Sequence, residues 1–212
     1  MGPGELRYGI AALEFYGSWR AAPSGLFVAH VFAVGGKEAG ARTITLPSWL
    51  KPTRCRWNGD GFVLISDSGD VVATLRPTAR SLDFPRQHST KPAHSWSALQ
   101  PATGHRLVGR WEPIEDRHRP PLFPFLSILR DDTWSGSDGC NTTNGRWAAD
   151  DEGWVVAAAG PTTLAFCWGV PVPSWWAQSA RAGFDGDELV LLDDGGVTLG
   201  HLRRTDGPDS LP

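Results

Sequence analysis

The residues best suited to chemistry are the cysteines and the polar turn that surrounds one of them. The chain has three cysteines, Cys55, Cys140 and Cys167, and Cys140 lies in the segment WSGSDGCNTTNG of residues 134–145. A catalytic thiolate needs a base within hydrogen-bond reach, and no histidine is close to Cys140 in the sequence. The cysteines form no C-x-x-C pair and are odd in number, which argues against a zinc site or a disulfide framework. Buried free thiols are therefore expected.

The glycines of this segment indicate a tight structural turn. Gly136, Gly139 and Gly145 permit positive φ angles and close backbone approach. Asn141 can hydrogen-bond to neighbouring backbone groups across the turn. Such an arrangement usually shapes structure, and the alternative is a loop that binds a ligand or a partner.

The other potentially reactive side chains lack the spacing of catalytic or metal-binding motifs. Ser68 lies in the polar run of residues 66–70, but the second half of the chain has Gly195 at the corresponding position, so a hairpin turn explains both. The acidic clusters lack the spacing of a calcium-binding loop, and the six histidines form no H-x-H or H-E-x-x-H pair. The sequence therefore predicts no catalytic, cofactor or metal site.

A repeat in the sequence predicts the structural elements that hold this turn in place. The two halves of the chain share three patterns in the same order. These are Gly-x-Trp at residues 17–19 and 109–111, Pro-Ser-Trp at 47–49 and 173–175, and a hairpin pattern at 57–70 and 184–197. Repetition on this scale indicates a duplicated β unit, and the alternative is that both halves use the same common hairpin.

Short apolar runs between turn residues predict a β-rich chain. Strands are expected at residues 26–34, 42–46, 71–75, 122–130, 145–148, 154–159, 162–168 and 197–202. One short helix is predicted over residues 173–183, with Ser174 as its N-cap and Gly183 as its stop, and Pro52 would shorten its counterpart in the first half. The predicted organisation is a β unit at 1–77, a linker at 78–105, a second unit at 106–204 and a disordered tail at 205–212.

The second half resembles the META domain (HslJ-like, DUF306). The resemblance covers about residues 107–203 and includes the opening Gly-x-Trp, the Gly139-Cys140-Asn141 turn, a strand from Thr163 to Cys167, the helix and the final hairpin. It implies a lipocalin-topology barrel, with Cys140 and Cys167 close in space. Residues 1–77 would then be a degenerate META-like copy. The predicted fold is mainly β, with two antiparallel META/lipocalin-like β-barrel units, each having at most one short helix.

The chain has 11 tryptophans, which is several times the usual share. Indoles can fill a core or form a binding surface. Trp49 and Trp175 repeat between the halves and are expected in the core, while Trp176 is expected to be the more exposed neighbour. The candidate ligand or partner contacts are Trp134, Trp147, Trp168 and Trp176.

Composition narrows the function classes. A net charge of −3 with scattered basic residues offers no surface for nucleic acid. The chain lacks an apolar run long enough to span a membrane and the pattern of a signal peptide, so a cytoplasmic location is expected. The sequence favours a non-enzymatic binding or structural module whose partner is a small apolar ligand or a protein. The alternatives are a barrel with a tryptophan-lined cavity for an apolar ligand and an enzyme that uses Cys140 or Cys167. The oligomeric state stays open.

Overall fold

The computed structural model describes residues 4–10, 13–36, 47–51, 54–59, 61–66, 68–76, 96–114, 123–166 and 168–205. These residues form antiparallel sheets, which confirms a mainly β fold. The strands are β1 (Gly4–Ile10), β2 (Leu13–Ala21), β3 (Phe27–Gly35), β4 (Arg54–Trp57), β5 (Phe62–Ile65), β6 (Val71–Leu75), β7 (Gln100–Pro101), β8 (Gly109–Pro113), β9 (Phe125–Ile128), β10 (Thr133–Ser137), β11 (Thr142–Ala149), β12 (Val155–Ala159), β13 (Arg181–Asp185), β14 (Glu188–Leu192) and β15 (Thr198–Arg204). The α-helices are α1 (Gly104–Leu107) and α2 (Val172–Gln178), and 3₁₀ turns cover Ser48–Leu50 and Trp96–Ala98.

The first unit, β1 to β6, consists of two three-stranded sheets in the orders β1-β2-β3 and β4-β5-β6. Their shared core contains Phe27, Leu50 and Leu64. Trp49 packs against this core from the 3₁₀ turn and is only partly buried. Pro52, which was predicted to shorten a helix here, lies outside the described residues.

The second unit, β7 to β15, is one nine-stranded sheet in the order β12-β11-β10-β9-β8-β15-β14-β13-β7. The predicted barrel closure is not found among the described residues. Strand β12 at one end of the sheet and β13, next to the other end, meet through an isolated bridge between Trp154 and Arg181. Backbone hydrogen bonds from Val155 N to Ala180 O and from Ala182 N to Gly153 O support this contact. The sheet curls toward a barrel without a continuous ladder between β12 and β13.

Helix α2 fills the concave face of the nine-stranded sheet. It ends at Gln178 instead of continuing toward Gly183, because the chain turns at Ser179 and enters β13 at Arg181. No side chain caps its N-terminus, so the expected role of Ser174 is not seen. Both Trp175 and Trp176 lie in the main core, and Trp176 is fully buried, so the prediction that Trp176 is the exposed indole was wrong.

The Trp175 ring lies directly on strand β15. A Cβ atom at Gly200 would overlap with the indole ring, so this contact requires glycine. Trp175 is 9% exposed.

Part of the predicted linker belongs to the second unit. Strand β7 pairs with β13, and Leu99 packs against Val190 and Leu192 on the outer face of β14. Strand β14 is therefore buried on both faces, which explains its continuous apolar run. Residues 78–95 of the predicted linker, the predicted strand at 42–46 and residues 206–212 of the predicted tail lie outside the described residues.

The two units pack against each other through a small apolar layer and several polar contacts. Leu26 and Val28 of the first unit contact a cluster with Val156 and Ala158 of the second. Ser18 Oγ donates to Ala159 O at 2.6 Å. The guanidinium of Arg20, which is 6% exposed, donates to the Ala177 and Gln178 carbonyl oxygens at the end of α2. Burial lowers the pKa of Arg20 to about 10, and nearby Asp194 opposes this effect.

The meanders β4-β5-β6 and β13-β14-β15 have the same register. Trp57 pairs with Phe62 just as Phe184 pairs with Leu189, and every residue pair between β4 and β5 has its counterpart 127 positions later. The register shifts between Leu64 and Ile65 in one meander and between the corresponding Leu191 and Leu192 in the other. The hairpin predicted in both halves is thus formed in both.

Candidate binding site at the Cys140 turn

The turn between β10 and β11 is held by its own polar side chains. Asp138 Oδ1 accepts hydrogen bonds from Cys140 N at 2.8 Å and from Asn141 N at 2.6 Å. Ser137 Oγ accepts from Gly139 N at 3.0 Å. Burial raises the pKa of Asp138, but the backbone N–H donors of Asn141 and Cys140 and the Asn141 amide outweigh it, so the pKa is lowered. The ionised carboxylate therefore fixes the shape of the turn.

The three glycines of the segment serve two different purposes. Gly139 has a φ of 102°, which a residue with a side chain rarely adopts. Gly136 and Gly145 are needed for space. A Cβ atom at Gly145 would overlap with Ala158 O and lie 2.8 Å from Trp134 Nε1, and one at Gly136 would lie 3.0 Å from a side-chain carbon of Pro173 in α2. The segment therefore couples the turn to the core.

Asn141 joins this turn to the segment that follows β12. Its Nδ2 donates to Ala165 O at 2.9 Å, and its Oδ1 accepts from Ala165 N at 2.6 Å. Thr142 N donates to Thr163 Oγ1 at 3.3 Å. The segment of residues 161–166 runs antiparallel to the start of β11. The hydrogen bonds described above, however, use the side chains of Asn141 and Thr163 instead of joining backbone to backbone. The strand predicted at 162–168 is therefore not formed as a backbone ladder in the described part of the segment.

The cysteines differ in state. Cys140 is disulfide-bonded, so the expectation of a free thiol at this position was wrong. Cys55 is a free, buried thiol, and burial raises its pKa to about 11. Cys167, the neighbour that the family resemblance implies, lies outside the described residues. The hydrogen bonds between Asn141 and Ala165 hold the turn against the segment that follows β12, and the predicted proximity of Cys140 and Cys167 stays a prediction.

A surface groove of about 430 Å³ lies between this segment and the sheet. Most of its lining side chains are hydroxyl or amide groups, and none is charged. The lining residues are Phe125, Ser135, Gly136, Thr142, Thr143, Asn144, Pro161, Thr162 and Thr163. The groove offers hydrogen-bond donors and acceptors to a neutral group.

Three large apolar side chains beside the groove face solvent. Leu164 is 92% exposed, Phe166 is 89% exposed and Trp168 is 84% exposed. The rings of Phe166 and Trp168 meet edge to face with centroids 5.7 Å apart, as side chains two positions apart in an extended chain do. These three residues are called the apolar strip below.

The other candidate indoles are core residues. Trp134 and Trp147 are buried. Trp134 Nε1 donates to Ala158 O at 3.3 Å, and Trp147 Nε1 donates to Leu129 O at 3.1 Å. Trp176 is fully buried, and its Nε1 has no hydrogen-bond partner in the described structure. Of the four indoles predicted to contact a ligand or partner, Trp168 is the one that lies open on the surface.

Leu164 and Phe166 were not among the predicted site residues. The signal that could have identified them is the run of residues 153–180, which contains no charged residue and no histidine. A long neutral stretch that is not wholly core must present apolar groups to solvent or to a partner. Within the described residues, no group of three or more histidine, cysteine or acidic side chains could hold a metal ion. No helix in that part of the chain is long and apolar enough to cross a membrane.

Comparison with known proteins identifies no family. No protein-family model matches the chain, and no curated protein does. A solved structure that matches is a DUF4847 family protein from Bacteroides vulgatus, at 16% identity and a TM-score of 0.37. The match covers 47% of this chain and 94% of that protein. A similarity of this size supports no argument about fold or function.

Proposed function

We propose that this protein is a non-enzymatic binding module of the META type, which contacts a partner through the apolar strip. The observation that carries the proposal is the exposure of Leu164, Phe166 and Trp168, each of which is at least 84% exposed. Contiguous exposed apolar surface on a soluble domain marks an interaction site more often than scattered apolar residues do.

The anchoring of the strip supports a recognition role. Ala165, between two strip residues, is bound through both its N–H and its C=O by Asn141. The turn that carries Asn141 is itself fixed by Asp138 and by the disulfide at Cys140. A surface held in place before binding loses little conformational freedom on binding, so more of the contact energy appears as affinity.

The shared register of the two meanders supports the proposal that residues 1–77 and 106–204 derive from one duplicated unit. Equal pairing, equal positions of the register shift and a repeated Pro-Ser-Trp turn agree with the predicted repeat. The first unit would then be the degenerate META-like copy, because it has no counterpart of the turn at Cys140.

The alternative functions receive less support from the site. A thiol mechanism would need a thiolate, but Cys140 is in a disulfide and Cys55 is protonated at neutral pH because its pKa is about 11. An apolar ligand would need an open cavity lined by indoles, whereas Trp134, Trp147 and Trp176 fill the core. The cytoplasmic location stays a prediction. The disulfide at Cys140 argues against it, because reducing compartments disfavour disulfides.

Titration with the neutral apolar dye Nile red tests the proposal. A variant with Leu164→Ser, Phe166→Ser and Trp168→Ser should lose most of the dye binding seen with the unchanged protein at high dilution. The matched control carries Val71→Ser, Phe123→Ser and Leu129→Ser, which change exposed apolar residues elsewhere, and it should retain the binding. Equal binding by both variants, with circular dichroism showing that both are folded, would overturn the proposal.

A further inference from the structure

We infer that the partner of the apolar strip is a second copy of this chain, joined by antiparallel pairing of the two strips into a twofold-symmetric dimer. The inference rests on the proposed function, because it names the occupant of the same surface. It follows from the hydrogen-bonding edge of the strip, its register against itself and its lack of charge.

The backbone of the strip presents an open hydrogen-bonding edge. Ala165 directs both its N–H and its C=O toward Asn141. In an extended chain, successive residues direct these groups to opposite edges, so Leu164 and Phe166 direct theirs away from the turn. In the described structure their backbone groups make no hydrogen bond. An unpaired edge of this kind is a template for another strand.

The strip is complementary to itself. With Ala165 on a twofold axis, Leu164 faces Phe166 of the partner subunit, and the outward N–H and C=O groups of these residues pair with each other. Aromatic and aliphatic side chains directly opposite each other stabilise antiparallel strands. A twofold axis also places the same patch on both copies, which closes the assembly as a dimer.

Charge favours a second copy over a foreign partner. The run of residues 153–180 carries no charged side chain, so self-pairing places no like charges opposite each other, which would be destabilising. Interfaces between different proteins commonly use complementary charges to steer and orient the partner. The strip has no charged groups that could steer a partner, and pairing between two identical strips does not require them.

The contact area is that of a small, reversible dimer. Edge pairing places Leu164, Phe166 and Trp168 of both copies side by side on one face of the joined strands, so each aromatic side chain buries only part of the about 150 to 250 Å² that complete burial would remove. The interface is therefore expected to be below about 1,000 Å², the size of weak complexes that dissociate on dilution.

Sedimentation velocity over a dilution series tests the inference, with the full chain and its disulfide intact. The unchanged protein should be a dimer at micromolar concentration and dissociate on dilution, and the total tryptophan emission should move to longer wavelength as the dimer dissociates. Phe166→Lys should raise the dimer dissociation constant at least ~100-fold, since the change occurs once in each copy. Phe123→Lys, at a 60% exposed phenylalanine elsewhere, is the matched control and should leave it unchanged.

The outcomes separate this inference from the proposed function. A monomer at every concentration, with Nile red still bound by the strip, would overturn the dimer and leave the binding module intact. A dimer that persists in Phe166→Lys, or that is lost equally in Phe123→Lys, would place the interface elsewhere and also overturn the inference. Thermal unfolding of both variants confirms that a loss of dimer is not a loss of fold.

Discussion

The meanders β4-β5-β6 and β13-β14-β15 pair their strands in the same register, yet they are covered to very different extents. Trp57 is 52% exposed, whereas the corresponding Phe184 is 5% exposed. Val71 is 57% exposed, whereas its counterpart Thr198 is 5% exposed. The strands around each meander account for the difference, because the second unit adds a longer sheet and a full helix.

The two meanders show which features depend on local sequence and which depend on the surrounding structure. Register and turn geometry follow from local sequence, since the turns at Ser66 and Asp193 make the same backbone hydrogen bonds. Burial depends on what packs over the strands, which local sequence does not encode. Four changes test this separation, from the largest expected effect to the smallest.

Removing the repeated tryptophan should affect the two units unequally. Trp175→Ala should lower the free energy of unfolding by about 3–5 kcal/mol, because the indole fills the main core. Trp49→Ala should cost about 1–2 kcal/mol, since Trp49 is only partly buried. Urea unfolding followed by circular dichroism measures both values. Equal losses would show that the units are covered to the same extent in solution.

Breaking the contact between the units should have an intermediate effect. Arg20→Met keeps the length of the side chain but leaves the carbonyl oxygens of Ala177 and Gln178 without their donor, at a cost of about 1–3 kcal/mol. Arg7→Met, at an exposed arginine, is the control. A more stable Arg20→Met protein would mean that burial of the charge costs more than its hydrogen bonds contribute.

Acidification should weaken the same contact. His30 has a lowered pKa, chiefly because of burial and then because of the charge of Arg146, while a hydrogen bond with Asn144 opposes them. The unfolded chain therefore binds the proton first. The contribution of neutral His30 is complete above about pH 6.5 and is lost as the pH falls through the lowered folded-state pKa.

Urea midpoints measured from about pH 7.5 down to about pH 5 should fall less steeply in His30→Gln than in the unchanged protein. Glutamine keeps a polar side chain but does not titrate in this range. Parallel curves for the two proteins would show that His30 has the same pKa folded and unfolded.

Exchanging the turn residues should have the smallest effect. Ser66 Oγ accepts from Asp70 N at 3.1 Å, and Asp193 Oδ1 accepts from Val197 N at 2.8 Å. Ser66→Asp and Asp193→Ser should each change stability by less than about 0.5 kcal/mol, whereas alanine at either position should cost about 1 kcal/mol. Thermal unfolding measures these differences. A serine at 193 that costs as much as alanine would contradict the equivalence of the turns.

The sequence was informative where structure depends on near neighbours. Strands β3, β6, β9, β12 and β15 and both hairpins were expected from apolar runs and turn residues, and the structure confirms them. Helix α2 was placed correctly at its start and too long at its end. The last residues of the predicted helix, 181–183, instead form the start of β13, which pairs with β14. Pairing with the neighbouring strand therefore overrides helix propensity at these residues.

The candidate site depended on information that the sequence does not carry locally. Helical spacing placed Trp175 and Trp176 on different faces, but α2 lies inside a curled sheet, where both faces are core. Strand-like alternation at 162–168 was recognised, but the side chain of Asn141 takes the backbone groups that a ladder would have used. The exposure of Leu164 and Phe166 follows from these contacts of Asn141, and the sequence signal that pointed to it was the charge-free run of residues 153–180.

Strand β15 carries the Trp175 ring directly on its backbone because residue 200 ends at a hydrogen atom. The counterpart on β6 is Ala73, which packs in the smaller core together with Trp49. A methyl group at residue 200 would occupy the space of the Trp175 ring, so the lack of a side chain at this point of β15 is what allows α2 to lie this close to the sheet.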